Sequence, residues 1–384
     1  MLPDQHFLRT PGPTPIPPSV QQAMHQPMVG HRDQETKELL CMIKPKLKRL
    51  FGTDQDVLLL AGSGTAGLEA AVINIVHPDD EVLVLVSGAF GERFVQICRK
   101  YRIKTHRLDM AWGKAVTPES VADYLQRHPR VKAVLATFCE TSTGVLNPVH
   151  KIASAIQHYS NAIFIVDGVS AIGAVQTKMD DWAIDILITG SQKAMMLPPG
   201  LVFLVVSERA WYKIKTNERP SFYLDLYLYQ KQLQNNTTPF TPPLSLLFGL
   251  QQVLKLFDEE GLDNVFTRHH TMMNMTRAAC RALGICLLTD DRDASPTVTA
   301  ARADDLSPDM LRHMLKKEFN LIVAGGQNDL KGKLFRIGHM GYCSPADILQ
   351  TISIIELALH KMGQPIELGS GVQAAQKIML SGGA

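Results

Sequence analysis

Short apolar runs that alternate with amphipathic stretches constrain the fold of this chain more than any other feature. Six clear runs and a weaker seventh, at residues 102–108, show the pattern. The clear runs are Val57–Ala61, Glu81–Val86, Ala133–Thr137, Ala162–Val166, Ile184–Thr189 and Leu201–Val206. Most are continuously apolar, which is typical of strands covered on both faces in a parallel sheet. With crossover helices near 65–76, 91–101, 118–128 and 148–159, they predict a doubly wound α/β domain with a mostly parallel seven-stranded sheet.

The N-terminal segment has a different composition. Residues 9–18 read RTPGPTPIPP, too rich in proline for a helix or a central strand, so we predict an extended arm over residues 1–20. Residues 34–51 have helical periodicity, and Pro45 within them is expected to kink the helix or divide it in two.

The order of elements changes after a helical pattern at 244–258, which Gly261 ends. Beyond it we expect a smaller α+β domain, with helices near 263–283, 307–318 and 345–361 and strands near 297–301, 321–324 and 334–338. We therefore predict a large domain at 21–260 and a small C-terminal domain at 261–384. Its last residues, 363–384, look loosely packed.

Composition and charge exclude several classes of protein. The 384 residues include 39 Lys+Arg and 37 Asp+Glu, whereas a dedicated nucleic-acid binder usually has a marked basic excess. The six cysteines show no Cys-x-x-Cys spacing, which argues against a zinc or iron–sulfur site and indicates reduced thiols in a cytoplasmic compartment. No apolar run approaches the roughly 18 residues of a membrane span. We expect a cytoplasmic protein without metal, nucleic acid or membrane.

A glycine-rich segment, Gly62-Ser-Gly-Thr-Ala-Gly67, follows a predicted strand and opens a predicted helix. Such a turn presents backbone N–H groups and a helix dipole to an anion, so it suits a phosphate. It also matches the G-x-G-x-x-G pattern of dinucleotide-binding proteins, which needs an acidic residue at the end of the second strand. Here Asp79, Asp80 and Glu81 precede that strand, so the ribose contact is missing. The segment alone leaves a ligand loop and a plain tight turn equally open.

Two further polar residues directly follow predicted strands. Asp167 ends the run at 163–166, and Lys193 follows the run at 184–189. Either could be structural by itself, as a helix cap or a surface lysine. Together with the glycine turn on one edge of a sheet, they match the needs of pyridoxal phosphate. A lysine forms a Schiff base with its aldehyde, an aspartate keeps the ring nitrogen protonated, and a helix N-terminus binds the phosphate.

Motifs spread from Thr10 to about His360 carry a family resemblance. They are PGPTPIPP, GSGTAGLEA, SGAFGER, ETSTGVLNP, VDGVSAIGA, GSQKA with LPPG, SFYLDL, TPPLSL, SPTVT and FRIGHMG. In this order and spacing the chain resembles class V, fold-type I pyridoxal-phosphate aminotransferases, specifically the serine–pyruvate, alanine–glyoxylate and serine–glyoxylate group. The resemblance implies small amino-acid and 2-oxo-acid substrates and a homodimer with shared active sites.

The resemblance also implies roles for individual residues. Lys193 would be the Schiff-base lysine and proton shuttle, and Asp167 the partner of the pyridinium nitrogen. The other implied cofactor contacts are Ser63, Gly64, Thr65 and Gln192 at the phosphate, Phe90 and Val169 on the two ring faces, Thr141 near the 3′ oxygen, and Thr241 reaching the neighbouring subunit's phosphate.

For the substrate, the resemblance implies that Arg336 binds the carboxylate and that the backbone at Gly12 closes a small pocket. The implied reaction is ping-pong transfer of an amino group from alanine or serine to glyoxylate or pyruvate. Two positions depart from the family pattern. Phe90 stands where relatives often have tryptophan, and Thr238 stands where relatives can have a tyrosine directed at the neighbour's phosphate, which puts that contact in doubt.

Three alternatives remain open from the sequence. A cysteine desulfurase of the same fold would have a histidine directly before the lysine and another over the ring, where this chain has Gln192 and Phe90. A nicotinamide-dependent oxidoreductase is suggested by the glycine pattern alone. A hydrogenase subunit lacks support because the cysteines are not grouped. The adjacent His269 and His270 favour a surface helix over a metal site, and Cys139 could lie near the cofactor.

Overall fold

The computed structural model describes residues 6–217, 221–302 and 306–382. The strands in these ranges are β1 (Phe7–Leu8), β2 (Leu58–Gly62), β3 (Glu81–Val86), β4 (Lys104–Asp109), β5 (Val131–Thr137), β6 (Cys139–Glu140), β7 (Val145–Leu146), β8 (Ile163–Asp167), β9 (Ile186–Gly190), β10 (Gly200–Val206), β11 (Cys286–Leu287), β12 (Val298–Arg302), β13 (Leu321–Ile322), β14 (Ala324–Gly325) and β15 (Phe335–Gly338). The helices are α1 (Pro18–Met24), α2 (Gln34–Phe51), α3 (Gly64–Ile75), α4 (Ala89–Lys100), α5 (Pro118–Arg127), α6 (Val149–Tyr159), α7 (Glu208–Thr216), α8 (Leu226–Leu233), α9 (Leu244–Glu260), α10 (Leu262–Ala282), α11 (Pro308–Phe319), α12 (Pro345–Lys361) and α13 (Ser370–Leu380).

Seven strands form the central sheet in the order β2-β10-β9-β8-β5-β3-β4. From β9 to β4 all neighbours pair in parallel, whereas β10 is antiparallel to both β2 and β9. The weaker candidate at 102–108 is the edge strand β4. The predicted α/β class, with a mostly parallel seven-stranded sheet, is confirmed.

Apolar side chains cover the central sheet on both faces. In β3, Leu83 and Leu85 belong to one apolar cluster, and Val82, Val84 and Val86 belong to another. Successive side chains of a strand point to opposite faces, so a strand buried on both faces must be apolar at every position. This explains the continuous runs in the sequence.

The carboxyl ends of β2, β3, β5, β8 and β9 meet at one edge of the sheet, because these five strands run in the same direction. The segments that leave these ends carry the glycine turn, Phe90, Thr141, Asp167 and Lys193. Side chains that are far apart in the sequence are thereby brought to one place.

The C-terminal part has its own four-stranded sheet, β11-β12-β15-β14, and a third apolar cluster. Strand β1 at the start of the chain pairs in parallel with β13, so the N-terminal arm is attached to this part. Helix α9 ends at Glu260 and α10 begins at Leu262. The division into domains at residue 260 stays a prediction.

The structure differs from the sequence expectations at both ends. Within the predicted arm of residues 1–20, helix α1 already begins at Pro18, where the fixed φ of proline suits a first helical turn; residues 1–5 lie outside the described residues. The loose packing expected for 363–384 is wrong for α13, because Gly371 and Ala375 are buried and the buried Glu356 accepts hydrogen bonds from its first turn. Residues 383–384 are not among those described.

Of the two expectations for Pro45, a kink or a division of the helix, the division is wrong, because α2 runs unbroken from Gln34 to Phe51. A second helix expectation is also wrong. His269 lies in α10 but is fully buried, contrary to the expected surface position. Its Nδ1 lies 2.6 Å from the carbonyl oxygen of Val265, and its Nε2 accepts from the Gly341 N–H at 3.1 Å. Burial lowers its pKa to about 3, so the ring is neutral.

In the described ranges, no helix combines the length and apolar character needed to cross a bilayer.

Candidate active site

A cavity of about 240 Å³ lies at the carboxyl edge of the central sheet. Ten predicted site residues line it: Gly12, Ser63, Gly64, Thr65, Phe90, Thr141, Asp167, Val169, Gln192 and Lys193. Sequence reasoning did not assign a site role to Pro13, Leu68, Arg93, Ser170 and Pro199, which also line it, and placed Cys139 only near it. The predicted residues Arg336 and Thr241 do not line this cavity.

Lys193 is buried in the turn after β9, with 8% of its surface exposed. Its Nζ donates a hydrogen bond to the Pro11 carbonyl of the arm, and its own carbonyl accepts from Thr14 Oγ1 at 2.9 Å. Burial lowers the pKa of the ammonium from 10.5 to about 8. The unprotonated, nucleophilic fraction at neutral pH is therefore much larger than for a free lysine.

The arm lies directly on this lysine. Gly12 has a φ of +92°, and a Cβ at this position would overlap the Lys193 side chain. A positive φ and the lack of space both demand glycine here. The arm therefore forms one wall of the cavity.

Asp167, the last residue of β8, is also buried, with 3% exposed. Its Oδ1 accepts from the Val169 N–H at 2.9 Å, and no donor among the described residues bonds to Oδ2. Burial raises the pKa of this carboxyl to about 6. At neutral pH most of this carboxyl is still ionised. It can therefore accept a hydrogen bond from a protonated group in the cavity.

The glycine turn forms an anion cup. Ser63 is the N-cap of α3, but its hydroxyl does not cap the helix, and the first N–H groups of a helix have no partner within it. A Cβ on Gly190 would lie 2.8 Å from Gln192 Oε1 and 3.5 Å from the Gly64 nitrogen, so these groups are neighbours. Gln192 Oε1 is buried without a hydrogen-bond partner among the described residues. The turn is thus prepared for a ligand that completes its hydrogen bonds.

Glu140 positions Phe90, and sequence reasoning missed it. It is fully buried and accepts hydrogen bonds at Oε2 from the N–H groups of Phe90 and Gly91, both at 3.0 Å. Glu140 thus caps the N-terminus of α4, although it is 50 residues away from Phe90 in the chain. Burial raises the pKa of Glu140. No local pattern reveals such a contact; only its motif ETSTG marks the segment.

Arg336 lies beside the cavity rather than in it. It is 5% exposed, its Nη1 donates to the Thr141 carbonyl at 3.0 Å, and its Nε donates to the Gly325 carbonyl at 2.9 Å. It lines a second cavity, of about 650 Å³, together with Arg312 and Lys316. Burial lowers the pKa of the guanidinium to about 10, so it stays charged. Within the described ranges no carboxylate lies within ion-pair distance of it.

Thr241 is exposed on the surface of its own chain, and its predicted contact with a second subunit stays a prediction. Thr238 is 6% exposed, and its hydroxyl donates to the Phe240 carbonyl at 2.7 Å within the same chain.

Cys139 is fully buried, with its Sγ 2.8 Å from Ser295 Oγ. Burial raises the pKa of this thiol to about 11, so it is no nucleophile at neutral pH.

The residues at the cavity fit pyridoxal phosphate. The group needs an amine, an acid, an aromatic surface and an anion cup, and Lys193, Asp167, Phe90 and the turn at Ser63 supply them around one space. The uncapped start of helix α3 leaves backbone N–H donors for a phosphate, and the side-chain amide of Gln192 lines the same cavity, where its N–H₂ group can donate to the anion.

Comparisons with known proteins agree with this chemistry. A family model described as Aminotransferase class-V matches residues 6–341. An uncharacterized aminotransferase of Methanocaldococcus jannaschii is 42% identical over 377 residues, 97% of each chain. Serine–glyoxylate aminotransferase of Arabidopsis thaliana is 32% identical over 380 residues, 97% of this chain and 95% of that protein.

A relative from Synechococcus sp. carries the name soluble hydrogenase, small subunit. It is 40% identical over 379 residues, 98% of this chain and 99% of that protein. In the part of the present chain that the structure describes, no three His, Cys, Asp or Glu side chains gather as a metal site would require.

Solved structures show the same relationship. Ureidoglycine–glyoxylate aminotransferase from Bacillus subtilis is 30% identical, with a TM-score of 0.92 over 99% of both chains. Pyridoxamine–pyruvate aminotransferase from Mesorhizobium loti is 30% identical, with a TM-score of 0.93 over 98% of this chain and 97% of that one. The chain belongs to the class-V aminotransferases and is a transaminase of fold type I that depends on pyridoxal phosphate.

Proposed function

We propose that this transaminase moves the amino group of a small amino acid, alanine or serine, to glyoxylate or pyruvate in a ping-pong cycle. The observation that carries the proposal is the buried Lys193 Nζ in a narrow cavity that the arm at Gly12 closes. Relatives named for serine–glyoxylate, ureidoglycine–glyoxylate and pyridoxamine–pyruvate transfer support it, since glyoxylate and pyruvate are both small 2-oxo acids.

The predicted cofactor residues each have a proposed role in holding the cofactor. The N–H groups at Gly64 and Thr65, with Ser63, Gln192 and Thr241 of the partner subunit, bind the phosphate. Phe90 and Val169 would hold the two faces of the ring, and Thr141 would contact its 3′ oxygen. The Asp167 carboxylate holds the proton of the ring nitrogen. When bound, pyridoxal phosphate supplies an electron sink for the charge that develops at the substrate Cα.

Lys193 has two proposed tasks. Its amine, unprotonated above a pKa of about 8, would hold the cofactor by condensing with its aldehyde, with release of water. With a substrate amine in that place instead, the freed Nζ would take the proton from the substrate Cα and deliver it to the cofactor. The buried position of Lys193 keeps water away from this proton.

Arg336 is proposed to orient the substrate through its carboxylate. A guanidinium binds a carboxylate through two parallel hydrogen bonds, and this one has no acidic partner among the described residues. Its bond to the Thr141 carbonyl places it next to the cofactor cavity. The arm at Gly12 limits the space for the substrate side chain, which favours alanine or serine.

The test is a half-reaction on the purified protein loaded with pyridoxal phosphate. Alanine or serine should remove the visible absorption of the lysine-bound cofactor and release pyruvate or hydroxypyruvate. Glyoxylate should then restore the absorption and be converted to glycine. Phosphoserine and aspartate should react at least tenfold more slowly if the pocket is as small as proposed (~1.4 kcal/mol per tenfold).

Lys193→Ala should abolish both the absorption and the amino transfer, because Lys193 is the one lysine among the described residues that line the cavity. Lys213→Ala, on the exposed face of α7, is the matched control and should behave like the wild type. Release of sulfide from cysteine without transamination would instead assign a desulfurase. If the Lys193→Ala variant catalysed an NADH-dependent reaction, the lysine would have no part in catalysis.

A further inference from the structure

The phosphate residues assigned so far include no cation. Ser63, Gly64, Thr65, Gln192 and Thr241 offer hydroxyl, amide and backbone donors, all neutral. A phosphate monoester carries a charge of about −1.5 to −2 at pH 7, whereas a helix N-terminus contributes only about +0.5. The assigned cup therefore leaves most of the negative charge without compensation.

Only two cationic side chains stand among the described residues that line the cavity, Lys193 and Arg93. Lys193 is assigned to the cofactor aldehyde, so its nitrogen would be taken up in that bond and would not serve as a phosphate ligand. Arg93 is therefore the cation that is left for the anion cup.

Arg93 is placed beside the cup. It lies one turn after Phe90 on α4, and its guanidinium carbon lies 4.6 Å from the centre of the Phe90 ring. Its Nη1 donates to Thr65 Oγ1 at 3.3 Å, and Thr65 belongs to the first turn of α3. The guanidinium thus spans from the aromatic ring to the phosphate turn.

The surroundings of Arg93 leave it available for an anion. In the ranges that the structure describes, no carboxylate lies within ion-pair distance of it; its neighbour Glu92 pairs instead with Arg107, at 2.9 Å. A guanidinium stacked on a ring keeps the N–H groups of its edge free for planar recognition of an oxyanion. Because Glu140 fixes the start of α4, this position is held by buried hydrogen bonds.

The positive charge of Arg93 acts on ionisable groups inside the cavity. Burial is the main influence on the pKa values of Asp167 and Lys193, and the positive charge of Arg93 also lowers both. A cation that acts on both groups lies close to the space that the cofactor occupies.

We propose that Arg93 is the cation of the phosphate subsite and binds the phosphate monoester through charge-assisted hydrogen bonds next to Thr65. This rests on the phosphate turn assigned under the proposed function. The ligand class is a phosphate monoester or inorganic phosphate, and Arg93 has no direct part in the proton transfer.

The test compares pyridoxal phosphate with pyridoxal, which lacks the phosphate, by equilibrium titration. Arg93→Gln should weaken pyridoxal phosphate about 10- to 100-fold, as expected for a hydrogen bond to a charged group, and leave pyridoxal unchanged. Arg93→Lys should restore part of the loss. Inorganic phosphate should compete with pyridoxal phosphate in the wild type and at least tenfold less well in Arg93→Gln. Arg99→Gln, exposed on the same helix, is the control and should bind both as the wild type does.

Two outcomes would overturn the proposal. An equal loss for pyridoxal phosphate and pyridoxal would show that Arg93 only supports Phe90 and the helix. Unchanged cofactor affinity with a raised KM for the amino acid would make it a substrate-carboxylate residue. The ratio of the affinities for pyridoxal phosphate and pyridoxal does not depend on which amino acid reacts. The role of Arg93 can therefore be upheld even if the proposed substrates prove wrong. Thermal unfolding of each variant shows whether the fold is intact.

Discussion

At the scale of single residues, burial gives the site its chemistry. The same desolvation disfavours the charged form of both Lys193 and Asp167, lowering the pKa of the lysine to about 8 and raising that of the aspartate to about 6. At a pH between these two pKa values, both groups still carry most of their charge. The lysine is nevertheless close enough to its pKa to act as a nucleophile and a base near neutral pH.

The lowered pKa of Lys193 predicts a pH profile for cofactor capture. Only the unprotonated amine attacks an aldehyde, so the rate at which cofactor-free protein binds pyridoxal phosphate covalently should rise about tenfold from pH 6 to 7 and level off above a pKa of about 8. Stopped-flow absorbance measures this rate. A free lysine derivative serves as control, and its rate should continue to rise toward pH 10. A protein profile that follows the control would contradict the lowered pKa.

At the scale of elements, buried carboxylates hold helices whose starts the sequence does not cap. Glu140 accepts from the first N–H groups of α4, and Glu356 accepts from those of α13. Each satisfies backbone donors that would otherwise be buried without partners. Such an acceptor is distant in sequence, so local patterns show neither the contact nor the packing that depends on it.

Glu356→Ala should destabilise the protein by about 1–3 kcal/mol, because it leaves the buried N–H of Gly371 and the partly buried N–H of Val372 without an acceptor. Chemical denaturation followed by circular dichroism measures the change. Glu367→Ala, at an exposed position just before the helix, is the control and should change stability by less than about 0.5 kcal/mol. Equal stability of both variants would show that α13 does not depend on this contact.

At the scale of the whole molecule, the site joins distant parts of one chain. Arg336 in β15 reaches the Thr141 carbonyl, and the arm reaches Lys193 after pairing through β1 with β13. Thr241 lies exposed outside this arrangement. If it binds the phosphate of a second subunit, as proposed, a complete site requires two chains.

Mixed dimers test this proposal. Lys193→Ala and Thr241→Asp should each lack transamination, the second because a carboxylate repels the cofactor phosphate. When the two chains are mixed and allowed to exchange, one site per mixed dimer combines an intact Lys193 with an intact Thr241 of the partner subunit. Activity should then return to about half of the wild-type value per mixed dimer. No recovery, in a mixture shown by tag pull-down to contain mixed dimers, would place Thr241 in the site of its own chain.

The sequence predicts the shared location of the glycine turn, Asp167 and Lys193 because strand ends are readable. Asp167 and Lys193 directly follow apolar runs, and the carboxyl ends of parallel strands share one edge. Neither the burial of His269 nor the reversed direction of β10 is readable in this way, since both depend on contacts with distant segments. Sequence reasoning missed Arg93 because its position beside Thr65 and the cavity is visible only in the folded chain.

By itself, the sequence determined the seven central strands and the crossover helices, since local periodicity reports these directly. Strand-end position marked the glycine turn, Asp167 and Lys193, and the family resemblance implied the other predicted residues that line the cavity. Only the tertiary structure decided how deeply Lys193 and Asp167 are buried, and hence their pKa values. It also decided which distant groups, such as Glu140 and Pro11, meet the site. The physical reason is that desolvation and hydrogen bonding depend on the complete surroundings of a group, which the folded chain assembles from segments far apart in sequence.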